Sequence, residues 1–443
     1  MYKQPITSKP GSVTARLPFS ASFLPLAMEL VAKGAGGFGY KDREASSLVL
    51  AMEELFSFYA RQVAGDSVLE IILEDQGYRL ALTLAFQMAH PDLRAFNLTW
   101  RVNPDNEESL EMLGPMLAAR TVSSLRMDFG ADELVVLRVT RDRDYAPARN
   151  VALPPPDLTQ AIRLVAPSAD DVRHFAAMTA SSSATFMPKF LTRPGMAADM
   201  FAAGHLHALL ANSGDWIIGG VLWRPLTDTC LELYGPYLFT NDPDDLVLTL
   251  LLDEAIGRIA RSAYRGVLRR QGALARHERF FDFLGDLELQ GVDGMTKHCV
   301  YYYRQLREDS GGVVYCNDPL AAFLHTQYER LCLPRQVRAR VSDDAQLRDT
   351  SVLAIELEQA RSLAIIRPLC AGKDMATNLA AHLELLRRNG ISNFQVEINT
   401  GRGDDTAFAG PLADTGFVPR LLVPDAGLGD LVIYDHGARD GLS

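Results

Sequence analysis

The sequence is short of the features that usually announce a chemistry. Among its 443 residues are only five cysteines, Cys230, Cys299, Cys316, Cys332 and Cys370, an odd number with no CxxC pair. That argues against a disulfide framework or a thiolate zinc site and predicts a reducing, cytoplasmic setting. Long apolar runs are missing too. No stretch approaches the roughly 20 consecutive apolar residues needed to span a bilayer, and the N-terminal MYKQPITSKPGSVTARL holds no segment of signal-peptide length. Positive charge is in deficit: the formal net charge is −11, which disfavours broad binding to nucleic-acid phosphates. One Arg-rich run, Arg258–Arg279, spaces its arginines as a solvated face does. P-loop, G-x-S-x-G elbow and H-E-x-x-H motifs do not occur.

What is present reads as globular. Hydrophobic residues make up 48% and charged residues 22%, enough apolar surface to build cores and not the composition of a disordered chain. Two breaks divide the sequence. The first, RDRDYAPARNVALPPPDLTQ (Arg141–Gln160), contains consecutive prolines that cannot donate backbone hydrogen bonds. The second, REDSGGVVYCNDP (Arg307–Pro319), mixes charge, Gly-Gly and Asn-Asp-Pro. Three domains are therefore expected, at residues 1–145, 160–306 and 318–437.

The first region reads as an α+β sandwich. Its elements are a strand at Val13–Pro18, helices at Ala21–Lys33 and Ser46–Val63, and a hairpin of Ser67–Glu74 with Arg79–Phe86 across the turn DQG. A helix near Glu107–Ser124 and the strand DELVVLRVTR complete it. The other two regions read as mixed α/β domains that share an order: hairpin, long helix, strand, short helix, Gly, strand. In the middle region the long helix is Asp244–Ser262 and the short one Ala273–Gly285. In the last region they are Ala376–Asn389 and Asp405–Thr415. This shared order predicts a weak internal duplication.

Within SLVLAMEELFSFYARQV (Ser47–Val63), Leu48, Met52, Leu55, Tyr59 and Val63 line one helix face, while Glu54, Phe58 and Gln62 form a second row at intervals of four. The bland reading of Glu53 and Glu54 is a solvated helix side. The segment also resembles the second helix of the GHKL ATPase superfamily, in particular anti-sigma factors of the serine-kinase type, which reads A-x-E-E-x-x-x-N-x-x-x-H. The resemblance covers about residues 10–145. It implies a magnesium–ATP site in which the Asn holds the metal and a Glu orients water or a hydroxyl. Phe58 stands at the Asn position and cannot ligate a hard cation. Phe86 or a neighbour replaces the adenine-reading Asp, Met88 replaces a glycine, and only Gly114 remains of the Gly-rich lid in SLEMLGPMLAAR.

The middle and last regions resemble the GNAT acetyltransferase fold. That resemblance implies a loop of the type Q/R-x-x-G-x-G/A cradling coenzyme A pyrophosphate at the start of the long helix. The middle region has TNDPDD there, with Asp242, Asp244 and Asp245 and no glycine; three carboxylates suit a helix N-terminus and would repel pyrophosphate. The last region has PLCAGKDMATN, with Gly372 and Lys373. The family's general-acid tyrosine aligns with Phe281 in ERFFDFLGDLE, ahead of Gly285, and with Leu412 in FAGPLADTGF, ahead of Gly416 and Phe417.

Other constellations are thinner. His205 and His207 have ligand chemistry but no third partner, YYYRQL (Tyr301–Leu306) fits an alternating strand, and neither Cys316 nor Cys370 has a His or cation cluster beside it. The reading is a non-catalytic regulatory or scaffolding protein that needs neither ATP nor acetyl-CoA and no metal. Its expected partner is another protein, with a small molecule and a homodimer left open, and no nucleic acid or membrane. The candidate binding residues are Glu54, Phe58, Gly114, Gly372 and Lys373, of which Glu54 is the vestigial catalytic candidate. The alternative is an acyl-CoA-dependent N-acyltransferase whose active copy is the C-terminal one.

Overall fold

The computed structural model describes residues 11–100, 105, 112–130, 132–155, 160–182, 187–271, 279–291, 295–340 and 347–436. Contacts divide the chain into two compact units, Met1–Ala146 and Pro147–Ser443.

In the first unit, β1 (Ser12–Pro18), β2 (Val68–Asp75), β3 (Arg79–Gln87), β4 (Ser124–Phe129) and β5 (Leu134–Asp142) form an antiparallel sheet in the order β1-β2-β3-β5-β4. Strand residues alternate, so Leu69, Ile71 and Leu73 of β2 and Leu80, Leu82 and Leu84 of β3 are buried. The helices are α1 (Leu24–Gly37), α2 (Asp42–Ala60) and α3 (Leu113–Thr121). Helix α2 buries Leu48, Met52, Leu55, Phe56, Phe58 and Tyr59. Gly34 lets α1 lie close to the sheet, since a Cβ there would come 2.6 Å from Leu73 Cδ2. Buried Glu44 ties the end of the unit to α2: its Oε1 accepts from Asp144 N at 2.7 Å and its Oε2 from Lys41 N at 2.8 Å. The helix expected over Glu107–Ser124 is observed as Leu113–Thr121, and residues 106–111 lie outside the described residues. Strand β4 was not foreseen.

The second unit holds two sheets built on one plan. The seven-stranded sheet runs β11-β12-β10-β9-β8-β7-β6, from β6 (Ile162–Val165), β7 (His207–Ser213), β8 (Trp216–Pro225), β9 (Cys230–Leu238), β10 (Gly266–Gln271), β11 (Asp282–Gln290) and β12 (Thr296–Gln305). Helices α4 (Ala169–Ser181) and α5 (Pro194–Ala202) precede β7, and α6 (Leu246–Ile259) links β9 to β10. A small parallel pair, β13 (Gly312–Cys316) and β14 (Arg335–Ala339), brackets α7 (Asp318–Arg330). The last sheet runs β15-β16-β17-β19-β18, from β15 (Val352–Glu358), β16 (Leu363–Cys370), β17 (Asn393–Asn399), β18 (Phe417–Val423) and β19 (Leu431–His436). Helix α8 (Met375–Arg388) links β16 to β17, and the short α9 (Gly403–Thr406) and α10 (Ala409–Asp414) follow.

The repeat is legible strand by strand. β8 with β9 and β15 with β16 are antiparallel hairpins, and β9 with β10 and β16 with β17 are parallel over four residue pairs. The outer strands β11 and β18 each carry a bulge at the same point, Phe283/Gly285 and Pro419/Leu421. These bulges meet: at φ +146° Gly285 lies so near the second repeat that a Cβ would be 2.4 Å from Leu421 Cδ2. One apolar cluster joins the repeats, with Leu268, Leu287, Tyr301 and Tyr303 on one side and Leu363, Ile365, Leu421 and Ile433 on the other. Polar ties flank it. Asn393 Nδ2 donates to Gln290 O at 2.9 Å and its Oδ1 accepts from Gln290 N at 2.8 Å. The Asp425 carbonyl accepts from Thr227 Oγ1 at 2.9 Å and Thr229 Oγ1 at 3.2 Å.

Two sequence expectations are corrected here. Residues 282–285, expected to end a helix, belong to β11, because Leu287 and Leu289 alternate into the shared core and Leu284 joins them across the bulge; residues 272–278 of that expected helix lie outside the described residues. The helix over Asp405–Thr415 is two short ones, α9 and α10, broken between Thr406 and Ala409.

Candidate functional site

The five candidate residues occupy three separate places. Phe58 is buried at 3% exposure, edge-to-face with Tyr59 at 4.9 Å, so the position aligned with a metal-holding Asn is part of the core. Glu54 sits one turn earlier at the crossing of α2 with α3, where a Cβ on Gly114 would lie 2.5 Å from Glu54 Oε2. The structure thus brings Glu54 and Gly114 together. The glycine's missing side chain makes room for the carboxylate and for the close approach of the two helices. Burial, and then the neighbouring Glu53, push the Glu54 carboxyl above its ordinary range.

In the first repeat of the second unit, the loop TNDPDD turns into α6 through Asp245 in the left-handed conformation at φ 53°. The helix start is occupied by the chain's own anion. Asp242 Oδ1 accepts from Val247 N at 3.1 Å and Oδ2 from Leu248 N at 3.0 Å. Of the three carboxylates in that loop it is Asp242 that caps, satisfying two of the free amides of the first turn and complementing the helix dipole.

In the second repeat the corresponding loop is filled by backbone. A Cβ on Gly372 would lie 2.3 Å from Ser351 N, and Lys373 N donates to Arg348 O at 2.9 Å. Lys373 Nζ lies 2.7 Å from Asp349 Oδ1. Beyond it, Asn378 Nδ2 donates to Ser351 O at 2.9 Å. Segment 348–351 therefore covers the N-terminal end of α8, and both Gly372 and Lys373 serve that contact.

The aligned acid positions are apolar and buried. Phe281, at 4% exposure, belongs with Phe280 to the buried cluster that includes Val247, Leu248 and Leu251 of α6, and Leu412 is fully buried in α10. Because β11 begins at Asp282, the segment ERFFDFLGDLE does not present the helix that the alignment of Phe281 required.

Sequence reasoning missed a buried charge cluster on β8, β9 and β10. Glu232 is 1% exposed; its Oε1 accepts from Arg270 Nε at 2.7 Å and its Oε2 accepts from the Tyr234 hydroxyl. Arg224 Nε donates to Tyr234 Oη at 2.8 Å, and its Nη2 lies 3.7 Å from Glu232. Burial alone would raise the Glu232 carboxyl, but Arg270 and Arg224 outweigh it and hold it below the usual range. Burial, and then Glu232, push the Tyr234 phenol far up, so it stays protonated and donates. The signal in the sequence was polar residues at alternate positions of otherwise apolar strands. Among the described residues no group of three or more His, Cys, Asp and Glu is placed to hold a metal ion, and no helix is long and apolar enough to cross a membrane.

No protein-family model matches the sequence, and no curated protein matches it. Solved acetyltransferases match about a third of the chain in fold. An N-acetyltransferase from Staphylococcus aureus Mu50 aligns over 33% of this chain and 100% of its own, at 13% identity and a TM-score of 0.29. Salmonella typhimurium yncA, solved with its cofactor acetyl-CoA, aligns over 34% and 97%, at 11% identity and 0.30. The aminoglycoside 6'-N-acetyltransferase from Enterococcus faecium aligns over 33% and 98%, at 10% identity and 0.27.

Proposed function

We propose that this chain is a non-catalytic regulatory or scaffolding protein whose second unit is a tandem acyltransferase-type fold used for binding. One observation carries the reading: the Asp242 carboxylate already occupies the amides of Val247 and Leu248 at the start of α6. A pyrophosphate seeking those amides would have to displace a covalently tethered anion and then sit beside it, against Coulomb repulsion. Backbone of residues 348–351 packs on Gly372 and Lys373, just ahead of the other helix start. The first unit is read as an ATPase-like fold of anti-sigma type that has become a protein-binding unit. Burial of Phe58 supports this, since a phenyl ring offers a magnesium ion nothing.

A second reading, an acyl-CoA-dependent N-acyltransferase, is favoured by one feature. In both repeats parallel pairing stops after four residues while β9 and β16 run on, to Leu238 and Cys370. Diverging strands of this kind leave a cleft in which an acyl chain has room. Titration calorimetry of the full chain with acetyl-CoA, and separately with magnesium–ATP, decides between the readings. The expected result is no heat of binding for either. Micromolar binding of acetyl-CoA overturns the non-catalytic reading and installs the enzyme; micromolar binding of magnesium–ATP overturns the reading of the first unit.

A further inference from the structure

The two repeats differ in the residue that stands where their parallel strands part. In the first repeat the last parallel pair is Leu233 with Arg269; in the second it is Ile366 with Val396. Past these pairs β9 runs on to Leu238 and β16 to Cys370, beyond the reach of the parallel ladder. Main-chain acceptors on that side of β9 therefore need a donor from elsewhere.

Arg269 supplies one. Its side chain stands on the sheet face turned to α6. Val267, two residues earlier on β10, and Leu233, its partner across the ladder, both belong to the buried cluster beneath that helix. From there Arg269 Nε donates to Gly235 O at 2.7 Å, two residues beyond the last pair. The Tyr302 ring of β12 has its centre 5.9 Å from Arg269 Cζ, and the phenol of Tyr237, further along β9, lies close enough to act on the charge. The guanidinium thus reaches from β10 across the gap to β9. Arg269 is only 1% exposed, so the gap is filled where the arginine crosses it. Burial lowers the guanidinium to about 10, which leaves it charged, with every donor in place, at neutral pH. Burying an arginine costs more than burying the valine that occupies the same register position in the second repeat. What the arginine adds is the bond to β9.

We propose that Arg269 is a built-in stopper in the first repeat. It occupies the gap between β9 and β10 and takes the main-chain acceptor that an extended, amide-bearing acyl ligand would pair with there, so this repeat is closed to such ligands. The second repeat, with Val396 in that place, carries no guanidinium at the equivalent position. The proposal rests on reading the diverging strands as a cleft, and it is independent of the Asp242 seat and of whether the chain is catalytic.

The test uses the full chain and S-hexanoyl-N-acetylcysteamine, a thioester with one acyl chain, one amide and no phosphate for Asp242 to repel. Titration calorimetry of Arg269→Val, which copies the second repeat, is expected to show one more probe site per chain than the unmodified protein has. Methylguanidinium, the head of the missing side chain, should compete for that added site and should not alter binding by the unmodified chain. An unchanged number of sites in Arg269→Val overturns the stopper, as does an added site that methylguanidinium leaves untouched. The non-catalytic reading falls on a different result, acetyl-CoA binding by the unmodified chain. If Arg269→Val does not fold, the Arg269 Nε–H proton of the unmodified chain decides by NMR. Slow exchange with water and a resonance unmoved by the probe uphold the stopper; exchange as fast as that of exposed arginines, or a shift on adding the probe, overturns it.

Discussion

The two repeats of the second unit share a strand order, a parallel register and even the position of a bulge, yet differ at their helix starts and in the charges on their strands. The first repeat fills its helix start with a carboxylate; the second packs backbone just ahead of its own. The first carries an Arg–Glu–Arg set across three strands, the second Glu–Arg–Glu. Topology is carried by alternating apolar residues that any branched side chain can supply, so it tolerates divergence. Charges at the ends of the parallel strands are not needed for the pleat and are free to be exchanged.

Experiments can break this comparison at several depths. The largest effect is expected where the repeats and their connector share one buried ionic group. Arg335, on β14, donates to fully buried Asp430 through Nε at 2.8 Å and Nη2 at 3.1 Å and to Asp309 through Nη1, so Asp430→Ala takes two of three bonds from a buried guanidinium and leaves it Asp309 alone. It should cost about 3–5 kcal/mol in urea unfolding of the full chain; a cost below ~1 kcal/mol would show that the ion pair does not hold the repeats together. Next comes the meeting of the bulges. Gly285→Ala drives a Cβ toward Leu421 at a backbone angle that L residues rarely adopt and should cost roughly 3 kcal/mol. Leu421→Ala alone opens a hole worth about 2–5 kcal/mol. The double variant should cost less than the sum of the singles, and strict additivity would place the two residues out of contact.

A smaller effect sharpens the contrast between the helix starts. Asp242→Ala should remove about 0.5–2 kcal/mol of capping, whereas Lys373→Ala should leave the melting temperature unchanged, because its partner Asp349 is exposed. Equal losses would mean that Lys373 supports the second repeat as Asp242 supports the first.

Acid should favour the second repeat. Burial pushes the carboxyls of Asp405 and Asp435 up to about 6, above the value of an unfolded chain. The folded form therefore binds these protons more tightly. Their contribution to stability is fully present below about pH 4 and is lost as the pH rises through about 6. These two groups should add stability between pH 7 and pH 5, against buried His382, whose imidazole burial holds below its ordinary range and which resists acid. The Asp405→Asn/Asp435→Asn double variant should therefore gain less, or lose more, than the unmodified chain over this interval; an unchanged difference between the two profiles would contradict the burial of both groups.

How much was legible beforehand follows from the range of the forces involved. The helices α2, α4, α6, α7 and α8 and the hairpins β2–β3, β7–β8 and β15–β16 were readable because their apolar spacing and turn residues are local. The strands β4, β11, β13, β14 and β18 were not. β11 places phenylalanines and leucines at both helical and alternating intervals, and only its pairing with β12 and contact with β18 resolve the ambiguity. At the candidate sites, the apolar character of Phe58 could be seen in the sequence, whereas the packing of Gly114 on Glu54 could not.

The sequence by itself determined the periodicities, the internal repeat and the chemical kind of residue at each aligned position. Each of those is set within a few residues along the chain. The tertiary structure decided which carboxylate reaches which amide, which arginines share a carboxylate, and which glycine makes room for a neighbour. Those outcomes depend on groups such as Gly285 and Leu421, or Arg335 and Asp430, that are distant in sequence and interact only once the sheets have packed.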